Sequence, residues 1–210
     1  MKRHLFLQGE RGIGKSTLIR KAILPHINDV GGYFVQRIYL SKNQEKYMGF
    51  AVKPLDGNKN YQLNNSVNNL ADVEGLFLFC NPLGIWQQIP GAFARAAVGF
   101  LKDALLRGKK LIIMDELGGI ELEDMLFLDM VFHVLDGNTP VLGVLKSSGN
   151  INKLRKAAGG KFDTAIEGIL HVYNKIKNHR EIDLLTLSGT VDFFVEKRLR
   201  MFIERVFGRE

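Results

Sequence analysis

Gly9-Glu10-Arg11-Gly12-Ile13-Gly14-Lys15-Ser16-Thr17 is the stretch on which the reading of this chain turns. An apolar run, His4 to Gln8, precedes it, and a helical pattern over 14–24 follows. The stretch fits G-x-x-x-x-G-K-[ST] in the strand–turn–helix context that the motif requires. Backbone N–H groups converge on a phosphate only where side chains are missing, hence Gly9, Gly12 and Gly14. A helix starting near Gly14 aims its positive end at the same place. Lys15 adds a full charge between the β- and γ-phosphates, and the Ser16 hydroxyl has the reach to ligate Mg²⁺. The whole stretch, Glu10, Arg11, Ile13 and Thr17 included, is a candidate binding loop for ATP, GTP or another nucleoside triphosphate.

Such a loop needs an acidic partner. Leu111-Ile112-Ile113-Met114-Asp115-Glu116 offers one: a buried strand that delivers two carboxylates at its C-terminal edge. Ligands of open parallel sheets bind at that edge. Asp115 is the candidate Mg²⁺ ligand with Ser16, and Glu116 the group that orients or deprotonates an attacking water, with Lys15 as the other catalytic candidate. Adjacent Asp and Glu favour a hydrolase over a simple switch. A phosphotransferase uses a carboxylate in the same place to accept a hydroxyl proton, so the residues leave both open.

Working outward, 210 residues suit a single domain, 1–210, with room for an insertion. A composition of 46% hydrophobic and 24% charged residues excludes disordered and collagen-like classes. One cysteine, Cys80, excludes an internal disulfide and argues against a cysteine zinc site. The apolar stretch after Met1-Lys2-Arg3 stops at Gln8, too short for a signal peptide core. No membrane insertion is expected, and the chain reads as cytoplasmic. A net charge of +7 favours polyanions without choosing among them.

Strands and helices alternate. The helix over 14–24 stops before Pro25. Tyr33–Leu40 and Tyr47–Lys53 form a hairpin, about 33–54, closed at Pro54-Leu55-Asp56-Gly57. The asparagine-bearing stretch 56–69, part of a variable segment 56–92, reads as loop. A helix spans Gly91 to Arg107, its inward face carrying Phe93, Ala97, Phe100, Leu101, Ala104 and Leu105. A helix over 121–135 is apolar nearly all round, with Glu121 and Asp124 in its first turn. Pro140–Leu145 is a buried strand, helices follow near 150–158 and 164–178, and Ile182–Leu187 is the last strand. The final helix, Val191–Phe207, has Val191, Phe194, Val195, Leu199, Phe202, Ile203 and Val206 on its apolar stripe. The fold class is α/β, a mostly parallel three-layer sheet with helices on both faces and a β-hairpin insertion.

At these motifs the chain resembles the nucleoside-triphosphatase family first described from thermophiles, which includes the human cancer-related nucleoside triphosphatase. The likeness runs from residue 3 to about 148. It takes in the loop GERGIGKST, Gly31-Gly32-Tyr33-Phe34, Met48-Gly49-Phe50 with Leu55-Asp56-Gly57, and Asp115-Glu116-Leu117-Gly118-Gly119-Ile120-Glu121. It implies a RecA-like P-loop sheet with the P-loop strand at its centre. It implies slow, Mg²⁺-dependent hydrolysis of several nucleoside triphosphates to diphosphates. It assigns the phosphate cradle to Gly12, Gly14, Lys15, Ser16 and Thr17, and the acidic pair to Asp115 and Glu116. Val35-Gln36-Arg37 departs from the family's Thr-x-Glu, residues 79–92 do not match its glycine-bearing loop, and the C-terminal part is longer.

Other residues carry less. Lys146 follows a strand expected beside the acidic one, where a γ-phosphate contact and a solvated lysine explain it equally well. Arg11 and Arg37 lie near enough for phosphate, although surface arginines are common. Trp86 and Phe79 suit a base stack less well than loop packing, Arg95 faces solvent, and Cys80 reads as a small buried hydrophobe. The five histidines show no ligand spacing. Two alternatives to the triphosphatase stand. One is a small-molecule or nucleotide kinase. The other is a nucleotide-gated binding module using the basic last helix (Lys197, Arg198, Arg200, Arg205, Arg209), although no nucleic-acid or protein partner is indicated.

Overall fold

Leu5, Phe6 and Leu7 send successive side chains to opposite faces of a strand, and both faces find apolar partners. Leu5 and Leu7 pack with Ile19, Ile23 and Leu199, whereas Phe6 packs with Ala97, Phe127 and Ile169. A strand buried on both sides is the mark of a parallel sheet inside two helical layers. The computed structural model describes residues 2–41, 46–55, 61–147, 149, 163–189 and 193–208. The expected helix near 150–158, the turn at Asp56-Gly57, Asn58, Asn60, Val191 and Arg209 lie outside the described residues.

The elements are β1 (His4–Gly9), α1 (Lys15–Ile23), β2 (Val30–Leu40), β3 (Gly49–Pro54), β4 (Asn64–Val67), β5 (Leu76–Cys80) and β6 (Trp86–Gln88). They continue with α2 (Ala92–Leu106), β7 (Leu111–Leu117), α3 (Met125–Asp136), β8 (Val141–Leu145), α4 (Asp163–Lys177), β9 (Ile182–Leu187) and α5 (Phe193–Phe207). The nine-stranded sheet runs β6-β5-β3-β2-β7-β8-β1-β9, with β4 paired to β2 outside this path. From β2 to β9 neighbouring strands are parallel; β3, β5 and β6 extend the sheet in antiparallel fashion. Helices α2, α3 and α4 cover the Phe6 face, and α1 and α5 the other.

The architecture is the expected α/β sheet, with several differences in detail. The P-loop strand β1 is not central: it lies next to the edge strand β9, with β8 between it and the acidic strand β7. The stretch 56–92, read as loop, holds β4, β5 and β6. Strand β4 is made by main-chain pairing with β2, Arg37 to Asn64 through Leu40 to Val67. Main-chain pairing leaves no side-chain period for sequence reading to detect. The helix expected over 121–135 divides into a 3₁₀ turn, Ile120–Glu123, and α3, whose N-cap Asp124 accepts from the Phe127 N–H at 3.1 Å. Contrary to burial all round, Met125 and Leu126 of α3 are exposed. On α5, Phe194 is exposed although it was placed on the apolar stripe. Phe207, the last residue of the helix, stacks on His26 at 4.1 Å. Arg198 is paired with Asp183, and Arg205 donates to the carbonyls of Lys2 and Arg3. The helix thus spends part of its basic face on docking. Cys80 is half-buried.

Gly32 marks where β2 joins the parallel core. It pairs with Ile113 at φ 99°, and a Cβ there would lie 2.2 Å from the Ile113 carbonyl oxygen. Backbone cannot retreat as a flexible side chain can. Replacing Gly32 by Ala is expected to cost about 3 kcal/mol of stability, read by urea unfolding.

His4 is fully buried; its Nδ1 accepts from the Val141 N–H at 3.1 Å, and its Nε2 donates to the Leu135 carbonyl at 2.8 Å. Burial holds its pKa down at about 4 from 6.5, outweighing the Leu135 bond. The folded state therefore binds fewer protons than the unfolded one, so this contribution is complete above 6.5 and is lost as pH falls towards 4. Relative to His4→Gln, wild-type stability should drop over that window in urea titrations and run parallel above pH 7.

Candidate active site

At the C-terminal edge of the parallel strands, β1 turns through the glycine loop into α1. Gly9 has to be glycine because a Cβ would lie 2.6 Å from Ile13 Cδ1 and 2.7 Å from the Leu187 carbonyl. That contact packs the loop against β9. Gly14 precedes α1 in the left-handed region, and its carbonyl accepts the Leu18 N–H at 2.8 Å. Lys15 is buried, with Nζ donating to the carbonyls of Gly9 at 2.9 Å and Glu10 at 2.5 Å. Burial lowers its pKa, against the pull of Glu116 and Asp115. Glu10 and Arg11 are exposed, while Ile13 packs its side chain into the core beneath α1. Glu10 and Ile13 can therefore serve a phosphate only through backbone.

Strand β7 delivers its two carboxylates through an irregularity. Met114 pairs with Gly143 and Leu117 with Leu145, so Asp115 and Glu116 together face Val144. This one-residue excess is a β-bulge, which re-aims side chains. Asp115 turns inward, 1% exposed, and its Oδ1 accepts from Ser16 Oγ at 3.0 Å. Its Oδ2 is buried with no hydrogen-bond partner among the described residues. Burial, then the neighbouring Glu116, pushes its pKa to about 7, against the Ser16 bond and the charges of Lys146 and Lys15. A buried oxygen without a donor is costly. A hard cation with oxygen ligands answers that cost, so Ser16 and Asp115 fit the Mg²⁺ that the sequence implied.

Glu116 turns the other way, into a cavity. It is a non-glycine residue at φ 68°, a conformation that costs about 1 kcal/mol or more and needs outside support. Glu121 supplies that support: Oε1 accepts from the N–H groups of Gly118 at 2.8 Å and Gly119 at 2.7 Å. Lys146 Nζ lies 3.8 Å from Glu116 Oε2 and 3.7 Å from Glu121 Oε2. Burial would lower the Lys146 pKa, but Glu121 and then Glu116 overcome it and raise it. Lys146 is thus not a solvated lysine: it lies between two carboxylates and lines the cavity beside Glu116. Sequence reading gave Glu121 only a helix-dipole role. The signal that could have found it is Gly118-Gly119, a sharp turn whose N–H groups need a nearby acceptor.

Two adjoining cavities flank this pair. One, 130 Å³, is lined by Arg11, Gly12, Gly14, Lys15, Ser16, Thr17, Arg37 and Glu116 among others. The second, 290 Å³, lies beyond Glu116 and adds Gly9, Phe77, Leu78, Glu121 and Lys146. Arg11 leaves the loop to donate to Tyr47 Oη, its Cζ 4.9 Å from the Tyr47 ring centroid and 5.6 Å from that of Phe50. Trp86 packs on the same rings, 6.0 Å from Tyr47 and 5.8 Å from Phe50, and stays 43% exposed. Arg95 is exposed.

The family described as NTPase has a model that matches residues 4–168. The nucleoside-triphosphatase THEP1 of Thermotoga petrophila is 27% identical over 156 residues, 70% of this chain and 73% of that protein. THEP1 of Methanocaldococcus jannaschii is 27% identical over 178 residues, 83% of this chain and 95% of its own. Among solved structures, a human cancer-related nucleoside triphosphatase superposes with a TM-score of 0.58 at 19% identity, covering 99% of both chains. THEP1 from Aquifex aeolicus gives 0.54 at 17% identity, covering 95% of this chain and 98% of that one. At these identities the two structures speak for the fold.

Removing the Glu121 carboxylate leaves two buried N–H groups without an acceptor and Lys146 with one partner fewer. Glu121→Ala should lose about 2–4 kcal/mol of stability. It should also slow turnover at least about tenfold through a misplaced Glu116, with triphosphate affinity little changed. Glu121→Gln, which keeps an oxygen for the turn, should recover much of the stability; urea unfolding and phosphate release measure the two effects.

Proposed function

The chain belongs to the NTPase family, and from that premise we propose that it hydrolyses nucleoside triphosphates to diphosphates with Mg²⁺, by way of Lys15, Ser16, Asp115 and Glu116. One observation carries the reading: the Ser16 hydroxyl meets Asp115 at 3.0 Å while Lys15, Ser16 and Glu116 line one cavity. The loop N–H groups and Lys15 bind the β- and γ-phosphates and neutralise charge that builds as the terminal bond breaks. Glu116, held by Lys146, accepts a hydrogen bond from the attacking water and takes its proton. The water oxygen bonds to the γ-phosphorus while the bond to the bridging oxygen breaks, and the electron pair leaves with the diphosphate. Ser16 and Asp115 would hold Mg²⁺, which would supply positive charge to the phosphate oxygens. Recognition through phosphates, which all nucleoside triphosphates share, supports tolerance of several bases. A single domain over 1–210 and a cytoplasmic setting complete this reading, the latter supported by the single cysteine and the nucleotide substrate. Among the described residues no helix is long and apolar enough to cross a membrane.

The second cavity favours one other reading. Water needs no apolar wall, yet Phe50, Phe77 and Leu78 line 290 Å³ beside Glu116, the lower end of small-molecule pockets. A hydroxyl compound seated there would receive the phosphoryl group in place of water. An acceptor phosphorylated faster than ATP is hydrolysed would decide for the kinase.

Lys15→Ala is expected to weaken triphosphate binding at least about 100-fold. Glu116→Gln should leave binding within about threefold and cut turnover by about 100-fold or more. Phosphate release from ATP, GTP, CTP and UTP, beside equilibrium nucleotide binding, reads both; wild-type turnover in Glu116→Gln would remove Glu116 from its role.

A further inference from the structure

Strand β2 outruns the strand it leans on. It pairs with β7 only from Val30 to Tyr33, opposite Leu111 to Met114, and then continues to Leu40. The overhang stands beside the carboxylates that follow Met114. Its backbone is fixed on both sides: Arg37 pairs with Phe50 on β3 and Asn64 on β4, and its N–H donates to the Leu63 carbonyl at 2.9 Å. The half-buried Arg37 side chain lines the 130 Å³ cavity with Lys15, Ser16 and Glu116.

The other cations around the site are engaged. Lys15 donates to two loop carbonyls, Lys146 lies between Glu116 and Glu121, Arg11 is held by Tyr47, and Arg20 donates to the Tyr61 carbonyl at 2.5 Å. No hydrogen bond or ion pair engages the Arg37 guanidinium among the described residues. A guanidinium stays charged at any ordinary pH. A half-buried guanidinium that makes no hydrogen bond or ion pair among the described residues is unfavourably placed, and an anion entering the cavity relieves that cost. Glu116 marks the attacked end of the triphosphate, and Arg37 shares its cavity.

We propose that Arg37 is a catalytic arginine supplied by the chain itself, contacting the γ-phosphoryl oxygens and stabilising the charge they gain as the bond to the β-phosphate breaks. The proposal rests on the hydrolytic reading above. A planar fork of N–H donors suits a flattening phosphoryl group better than a point charge does. The strength of the contact should therefore peak at the transition state, leaving product affinity almost untouched.

The test compares wild type, Arg37→Ala and Arg37→Lys in single-turnover ATP hydrolysis and in affinity for ADP alone and ADP with aluminium fluoride, all with Mg²⁺. Arg37→Ala should lose at least about 100-fold in turnover. ADP affinity should change by less than about threefold and that for the fluoride complex fall at least about 30-fold. Arg37→Lys should recover little, whereas millimolar guanidinium should partly restore Arg37→Ala. Turnover of Arg37→Ala within about threefold of wild type would overturn the proposal. So would equal losses for ADP and its fluoride complex, which mean uniform binding. Arg37→Lys, with charge retained, gives the same comparison if Arg37→Ala does not fold. Absence of hydrolysis by the wild type would retire the hydrolytic reading and Arg37's role with it, whereas a silent Arg37 in an active enzyme retires Arg37 alone.

Discussion

The bond from Ser16 to Asp115 joins the first turn of α1 to β7, two elements distant in sequence, and the arrangement of the site follows from it. For these side chains to meet, β1 and β7 must end at the same level of the sheet with β8 between them. That register rests on Phe6 against Gly143 and Met114 against Gly143, one glycine serving both neighbours. A Cβ at Gly143 would lie 2.5 Å from the Phe6 ring and 2.7 Å from the Met114 carbonyl. A tight point of the sheet core therefore sits on β8, one residue before Val144, which faces the carboxylates. Burial then leaves one oxygen of Asp115 without a donor among the described residues and raises its pKa.

At the bulge, the adjacent Asp115 and Glu116 meet different surroundings. Alternation along a strand already sends adjacent side chains to opposite faces, and the extra residue shifts where they stand relative to β8. Asp115 lies under the phosphate loop against Ser16, and Glu116 lines the cavity beside Lys146, the turn after it held by Glu121. The overhanging end of β2 and its antiparallel partners add the other wall. That wall carries aromatic rings and Arg37, features that a sheet ending flush with β7 would have no place for.

Much of this was legible from residues. The loop Gly9–Thr17 and the run Leu111–Glu116 announced where the candidate site lies because both patterns use particular residue types at fixed spacing, and the structure brings them to one cavity. The apolar runs of β1, β7 and β8 announced burial on both faces. Other features were not legible because they are made by main chain. Strand β4 is polar and pairs through backbone, and the bulge is a register count between strands that no single segment displays. The same holds for Glu121, whose partners are N–H groups, and for Lys146, whose two carboxylates meet only after folding. The order of strands, which moves β1 away from the centre, is likewise a property of the assembled sheet. Phe194 and Leu126 misled for a different reason: periodicity says which side of a helix is apolar, not how far its neighbours extend along it.

The central claim is that neighbouring carboxylates do different work because one is buried against Ser16 and the other lines the cavity. The direct test is the Mg²⁺-dependence of binding of a non-hydrolysable ATP analogue, in Asp115→Asn beside Glu116→Gln. The account predicts that Mg²⁺ tightens binding to wild type and Glu116→Gln alike, and that Asp115→Asn loses this tightening while still binding the metal-free analogue. Equal loss of the Mg²⁺ effect in both variants, or its survival in Asp115→Asn, would contradict it.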